Sequence, residues 1–234
     1  MPTCNNCGHT GTGKYCSECG HSYQVKRITV ASILHEVAHI FTHFEKGFGY
    51  TFKQLATRPG KMQREYIHGF RSKHQKPFSM FFICASLSGL AIYWISKPTH
   101  DINISAFDEM REHFYRHYYV ILQTILIPYY ALINWLLFWR KELNYAEALV
   151  WFVYTLSFIL LLVILPNMIN LIPHRFETYY IEIPLLSIYI IWTNLNFFNK
   201  DATWLVILKS IIGLLICWFT SNMITNEVIR WMMH

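Results

Sequence analysis

Charge is scarce in this chain. Of 234 residues, 15% are Asp, Glu, Lys or Arg, against 53% hydrophobic and 17% aromatic, with a mean hydropathy of +0.24. A water-soluble domain of this size is not built with so little charge, so that class is set aside at the outset. A cleavable signal-peptide pattern is also lacking. The opening residues are polar and cysteine-rich, and the expectation is that the first apolar stretch acts as its own insertion signal. The apolar stretches show no internal repeat and few convergent polar groups, which weighs against a transporter built from repeated halves. No base-stacking motif accompanies the basic residues, which argues against a nucleic-acid partner.

What the chain does have is long apolar runs, at about 78–96, 118–139, 146–166, 179–198 and 203–222. Each approaches the roughly 20 residues that a helix needs to cross a bilayer. Backbone polar groups in lipid must be satisfied within their own segment, so runs of this length are helices. Trp94, Tyr118, Tyr119, Trp139, Trp151, Tyr179, Tyr180 and Trp204 lie near the ends of the runs, as in an interfacial aromatic belt. The pattern predicts an all-α polytopic membrane protein with about five transmembrane helices over residues 77–234. The fourth and fifth runs hold Glu182 and Lys209. As intramembrane polar groups these are candidates for solute handling, or for a headgroup position and a snorkelling lysine.

Charge asymmetry sets the expected orientation. Residues 1–76 carry 11 of the 20 Lys and Arg and 4 of the 14 Asp and Glu, a net of +7, whereas the other 158 residues carry −1. The positive-inside rule places the amino terminus in the cytosol, and five crossings leave the carboxyl terminus external.

Four cysteines open the chain as two copies of Cys-x-x-Cys-Gly: Cys4, Cys7, Cys16 and Cys19. Two such turns direct four thiolates at one ion, the ligand set of a structural zinc site with no open position for substrate. A segment as short as residues 1–22 buries little apolar surface, so the metal supplies most of its folding energy. The alternative, two disulfides, requires an oxidising compartment, which the expected topology denies it. Cys84 and Cys217 sit in apolar runs as ordinary core residues.

Between this zinc ribbon and the bundle, residues 23–76 read as a cytosolic amphipathic and basic helical linker. Val30, Ile33, Leu34, Val37, Ala38, Phe41 and Phe44 form one apolar stripe, with Ser32, His35, Glu36, His39 and His43 opposite. Shorter helices are expected at about 50–57 and 61–69, separated by the turn Arg58-Pro59-Gly60. Arg58, Lys61, Arg64, Arg71, Lys73 and Lys76 form a juxtamembrane basic cluster. It suits anionic lipid headgroups, each cation contributing on the order of 1 kcal/mol near an anionic leaflet, or it is topogenic charge alone.

His35-Glu36-Val37-Ala38-His39 matches the H-E-x-x-H pattern in which two histidines on one helical face hold zinc and the glutamate, here Glu36, activates water. A third ligand is needed, and His43 lies eight residues from His35, roughly 12 Å along a straight helix. The histidines also occupy the polar face. Catalytic second metal site and solvated histidine face are the two readings of this motif.

The double knuckle ending Tyr15-Cys16-Ser17-Glu18-Cys19-Gly20 is followed by Lys26-Arg27-Ile28-Thr29, Lys46-Gly47-Phe48, Tyr50-Thr51 and Arg58-Pro59-Gly60. Then come Glu65-Tyr66-Ile67-His68-Gly69-Phe70-Arg71 and Lys76-Pro77-Phe78. On these residues the chain resembles the bacterial domain of unknown function family 3667, specifically over about residues 1–80 and by hydropathy beyond. His21 stands where such families usually carry Gln, which leaves the four ligands untouched. The resemblance implies a zinc-ribbon-headed membrane protein of the bacterial inner (cytoplasmic) membrane and supplies no activity. The reading favoured is a non-enzymatic adaptor, assembly or accessory component. It would carry one structural Zn2+, with lipids and a protein partner or second copy as its partners. A membrane zinc metalloprotease using His35, Glu36 and His39, and a small lipid or solute transporter, are the alternatives.

Overall fold

Asn144 starts the helix around which the rest of the protein is arranged. Its side-chain Oδ1 accepts from the Glu147 N–H (2.8 Å), and the Glu147 carboxylate accepts from the Asn144 N–H (2.9 Å), a reciprocal capping box. In the computed structural model, described for residues 1–4, 7–20, 22–23, 27–33, 47–95, 110–111, 113–114, 117–139, 143–171, 178–199 and 201–232, helices dominate.

In chain order the helices are α1 (Phe48–Thr57), α2 (Lys61–Ile67), α3 (Pro77–Ile95), α4 (Tyr119–Leu137), α5 (Tyr145–Leu162), α6 (Tyr179–Phe197) and α7 (Thr203–Met232). A short helical extension, Ile164–Asn167, and a 3-10 turn, Met168–Leu171, continue α5. No strand occurs among the described residues; the amino-terminal segment has two isolated antiparallel bridges, Thr3–Thr10 and Tyr15–Ser22.

Helices occupy all five stretches read from hydropathy, and three of them are long and apolar enough to cross a membrane: Pro77–Ile95, Tyr145–Asn167 and Thr203–Met232. α4 is apolar along Ile121–Leu137 as well. α6 is not among the three because its tyrosines, Glu182, Asn194 and Asn196 dilute its apolar character.

α5 is central. From Ala146 to Phe158 every residue except Phe152 is buried, the signature of a helix enclosed on all sides. α6 runs antiparallel along it: Phe197 stacks on Trp151 (5.2 Å), Tyr189 on Phe158 (4.8 Å), and Asn167 Nδ2 donates to Glu182 (2.7 Å). α4 and α7 are likewise antiparallel, joined where Lys209 lies over the Phe138 ring (5.3 Å) and again where Gln123 Nε2 donates to Ser221 Oγ (3.3 Å). Asn194 Nδ2 donates to the Ser210 hydroxyl (2.8 Å), a polar tie between α6 and α7 of the kind used between membrane helices.

α1 and α2 form a hairpin packed into this bundle. Its turn lies at Arg58-Pro59-Gly60, as expected from sequence. Gly60 takes φ +76°, and a Cβ there would sit 2.1 Å from the Thr193 carbonyl and 2.6 Å from the Phe197 nitrogen. Leu55, Met62, Tyr66 and Ile67 are buried in the same core as Trp151, Tyr154 and Tyr189. Gln63, fully buried, accepts from the Gly60 N–H (3.0 Å) and donates to the Trp151 carbonyl (3.3 Å) and Thr155 Oγ1 (3.0 Å) of α5. The segment read as a linker is therefore, over residues 48–67, part of the helical core. The reason is that its buried faces, at i, i+3, i+4 spacing, have α5 and α6 to pack on.

Candidate metal centre

Each cysteine knuckle closes by a backbone hydrogen bond from the glycine to the first cysteine of its pair: Gly8 N–H to the Cys4 carbonyl (2.9 Å) and Gly20 N–H to the Cys16 carbonyl (2.8 Å). Both glycines adopt positive φ, +79° and +69°, as their place after the second cysteine predicts. The two turns face one another. Sγ of Cys4 lies 3.6 Å from Sγ of Cys19, Sγ of Cys7 lies 3.5 Å from Sγ of Cys16, and all four sulfurs fall within 4.8 Å of one another. A tetrahedral ion with metal–sulfur bonds of about 2.3 Å places its ligands about 3.8 Å apart, close to the 3.5 and 3.6 Å separations here. A disulfide would bring a pair to about 2.05 Å. The four cysteines can hold a metal ion.

The electrostatics favour a cation. Burial raises the Cys16 thiol, but hydrogen bonds from the Cys19 and Glu18 amides and from Cys7 outweigh it, leaving its pKa at about 6. At Cys7 a hydrogen bond from the His9 amide lowers the pKa. Burial and shared hydrogen bonds with Cys16, Cys19 and Cys4 raise it further, to about 12. Four thiols this close cannot all ionise without a positive charge between them. Tyr23 closes one side over Gly11, where a Cβ would meet its hydroxyl at 2.4 Å.

The segment that follows the head is fastened to the bundle. Arg27 donates from Nε and Nη2 to the two Glu147 oxygens (2.9 and 3.1 Å), and Asn144 Nδ2 donates to the Ile28 carbonyl (3.0 Å). Sequence reasoning missed this attachment because its partners are more than a hundred residues apart.

The remaining candidates are distributed as follows. His35, Glu36, His39 and His43 lie outside the described residues. Of the basic cluster, Arg58 donates to Gln54 Oε1 (2.8 Å from Nε), Arg64 to Asn199 and to the Phe197 carbonyl, and Arg71 to the Tyr66 and Ile67 carbonyls (3.1 and 3.4 Å). These arginines brace the hairpin, while Lys61 and Lys73 are exposed and Lys76 is half-buried. Glu182 accepts from Asn167, and Lys209 lines a cavity of about 70 Å³ with Phe138, Asp201, Ala202, Leu205 and Val206. The structure brings neither of these two together with the cysteine cluster.

Fold and site together define a helical protein with, among the described residues, three helices long and apolar enough to cross a membrane and an amino-terminal cysteine cluster able to hold a metal ion. Residues 45–89 match the model of an uncharacterised family, described as protein of unknown function (DUF3667). The match covers the α1–α2 hairpin and most of α3, and leaves the cysteine cluster outside. No curated protein and no solved structure matches the chain.

Proposed function

We propose that this chain is an integral protein of the bacterial inner membrane, and that its cysteine head holds one structural zinc ion in the cytosol. In this reading it acts without catalysis, as an adaptor presenting the head and the neighbouring hairpin to a protein partner or a second copy. The observation that carries the reading is the closed set of four sulfurs within 4.8 Å, in a chain whose next described segment is tied by the Arg27–Glu147 pair to the end of a helix long enough to span a bilayer. Four thiolates fill a tetrahedral shell, so the metal serves architecture and not substrate.

A count of five spans is supported by packing. α6 accompanies α5 from Trp151 to Asn167, and α4 accompanies α7 from Lys209 to Ser221, so each follows a longer apolar neighbour through most of the bilayer depth. The excess of positive charge before α3 supports a cytosolic head and an external carboxyl terminus.

Metal analysis of the detergent-purified chain tests the centre. Close to one zinc per chain is expected, lost in Cys16→Ser; a full metal load in that variant overturns the assignment. Impermeant thiol reagents applied to intact cells should leave the metal-stripped cysteines unlabelled. A chain lacking residues 1–22 should insert normally but lose its associations; if every association survives, the docking role is wrong.

A further inference from the structure

A second cluster of polar side chains lies away from the cysteine head, where the hairpin meets the turn before α3. Tyr50 and Gln54 share one face of α1, and Arg58, the residue that caps its carboxyl end, donates back to Gln54. Against that face lies the turn leading into α3, pinned at three points. Gly47 abuts the backbone of residues 73–75, so that a Cβ would meet Gln75 N at 2.7 Å. The Gln75 N–H donates to Thr51 Oγ1 (2.8 Å), and the Gln75 carbonyl accepts from the Tyr154 hydroxyl (2.5 Å). This pinning holds the His74 imidazole at 8% exposure between the rings of Tyr50 (5.1 Å) and Tyr66 (6.3 Å).

Buried there, His74 Nδ1 has no hydrogen-bond partner. A buried polar nitrogen left in this condition is uncommon and points to a missing partner. Among the described residues, the charges found beside it are positive. Arg58 acts on the imidazole electrostatically, and the Arg71 guanidinium lies 5.6 Å over the Tyr66 ring. Among the described residues, the partner that holds the Arg58 side chain is the neutral amide of Gln54, so its charge is not cancelled there by a carboxylate. A protonatable imidazole beside a forked guanidinium is a donor set for phosphate oxygens. Tyr50, 41% exposed, covers it from the outside. α3, the first helix long and apolar enough to cross a membrane, begins three residues after His74, at Pro77.

We propose that Arg58 and His74, beneath Tyr50, bind a phosphate group at the membrane boundary, either the phosphate of an anionic lipid headgroup or a free phosphate. Arg58 supplies a bidentate contact, His74 the buried donor, and Lys61 and Lys73 only diffuse attraction.

The test uses the full chain in nanodiscs and in detergent. Native mass spectrometry should show phosphatidic acid and phosphatidylglycerol retained about tenfold over phosphatidylcholine, a difference of about 1.4 kcal/mol. Arg58→Gln and His74→Asn should each abolish that preference, with zinc content and elution volume unchanged, whereas Lys61→Gln with Lys73→Gln should lower it no more than about twofold. Displacement of the lipid by millimolar inorganic phosphate identifies a free-phosphate site; resistance to it identifies a headgroup site. In the unmutated chain, the His74 ring 15N signals should shift on adding whichever of the two is bound. The proposal is overturned if those signals are indifferent to both, or if the lysine pair variant loses as much as the arginine and histidine variants.

Discussion

Arg27 and Glu147 stand 120 residues apart and meet in a two-pronged ion pair, 2.9 and 3.1 Å, at the first turn of the central helix. The carboxylate side is 7% exposed and the arginine 60%. The same carboxylate closes the Asn144 capping box, so one side chain both starts α5 and fastens the segment leading to the cysteine head. Burial on the acidic side is what distinguishes this pair from an ordinary surface bridge.

Replacing Glu147 by Gln separates those two roles. Glutamine serves as well as glutamate in a capping box, so α5 should keep its start, while the charge-assisted bond to Arg27 is lost. Trypsin should then cut after Arg27 markedly faster in the purified chain, with metal content unchanged. Equal cleavage rates would show that the pair does not hold this segment.

Gly60 is constrained twice, by its positive φ and by the backbone of α6. Gly60→Ala has no room, since its Cβ would lie 2.1 Å from the Thr193 carbonyl, which cannot rotate away. A loss of about 3 kcal/mol or more is expected, read as a large fall in thermal midpoint in detergent. Gly49→Ala, with nothing within 4 Å of the added atom, should be far milder.

The Tyr154 hydroxyl is the donor to the buried Gln75 carbonyl. Tyr154→Phe keeps the ring and its edge contact with Tyr66 but leaves that carbonyl unsatisfied, a cost of about 1–3 kcal/mol. A stability unchanged within error would mean that water reaches Gln75.

Acid should weaken the hairpin through His74. Burial first, and the Arg58 charge second, hold its pKa down at about 4, against an ordinary value of 6.5. Between those values the unfolded chain binds the proton and the folded chain does not. Stability is therefore full above pH 6.5, is lost as pH falls toward 4, and loses no more to this group below that. The slope is at most about 1.4 kcal/mol per pH unit. His74→Gln should flatten it in lipid-free detergent, as followed by thermal midpoint across that range; an unaltered slope would place the acid sensitivity elsewhere.

Much of the architecture was legible because it is local. Cys4, Cys7, Cys16 and Cys19 declare their arrangement by spacing alone, since a Cys-x-x-Cys-Gly turn brings its own two sulfurs together whatever follows. Arg58-Pro59-Gly60 marks the hairpin turn because proline and a positive-φ glycine end helices without help from distant residues. The five helices announce themselves because long apolar runs suit lipid, and among the described residues three of them are long and apolar enough to cross a membrane.

What these local rules could not supply is which faces meet. Gln63 and His74 looked like polar residues of a cytosolic linker, and both are buried. Three arginines of the basic cluster looked like membrane-facing charge, and they brace a hairpin. For Gln63 and Arg64 the deciding partners, Trp151 and Phe197, come from much later in the chain, and Tyr154 does the same for Gln75 beside His74, whereas Arg58 and Arg71 are held by residues of the hairpin itself. Such pairings follow from the complementarity of whole surfaces, which no short stretch of residues encodes.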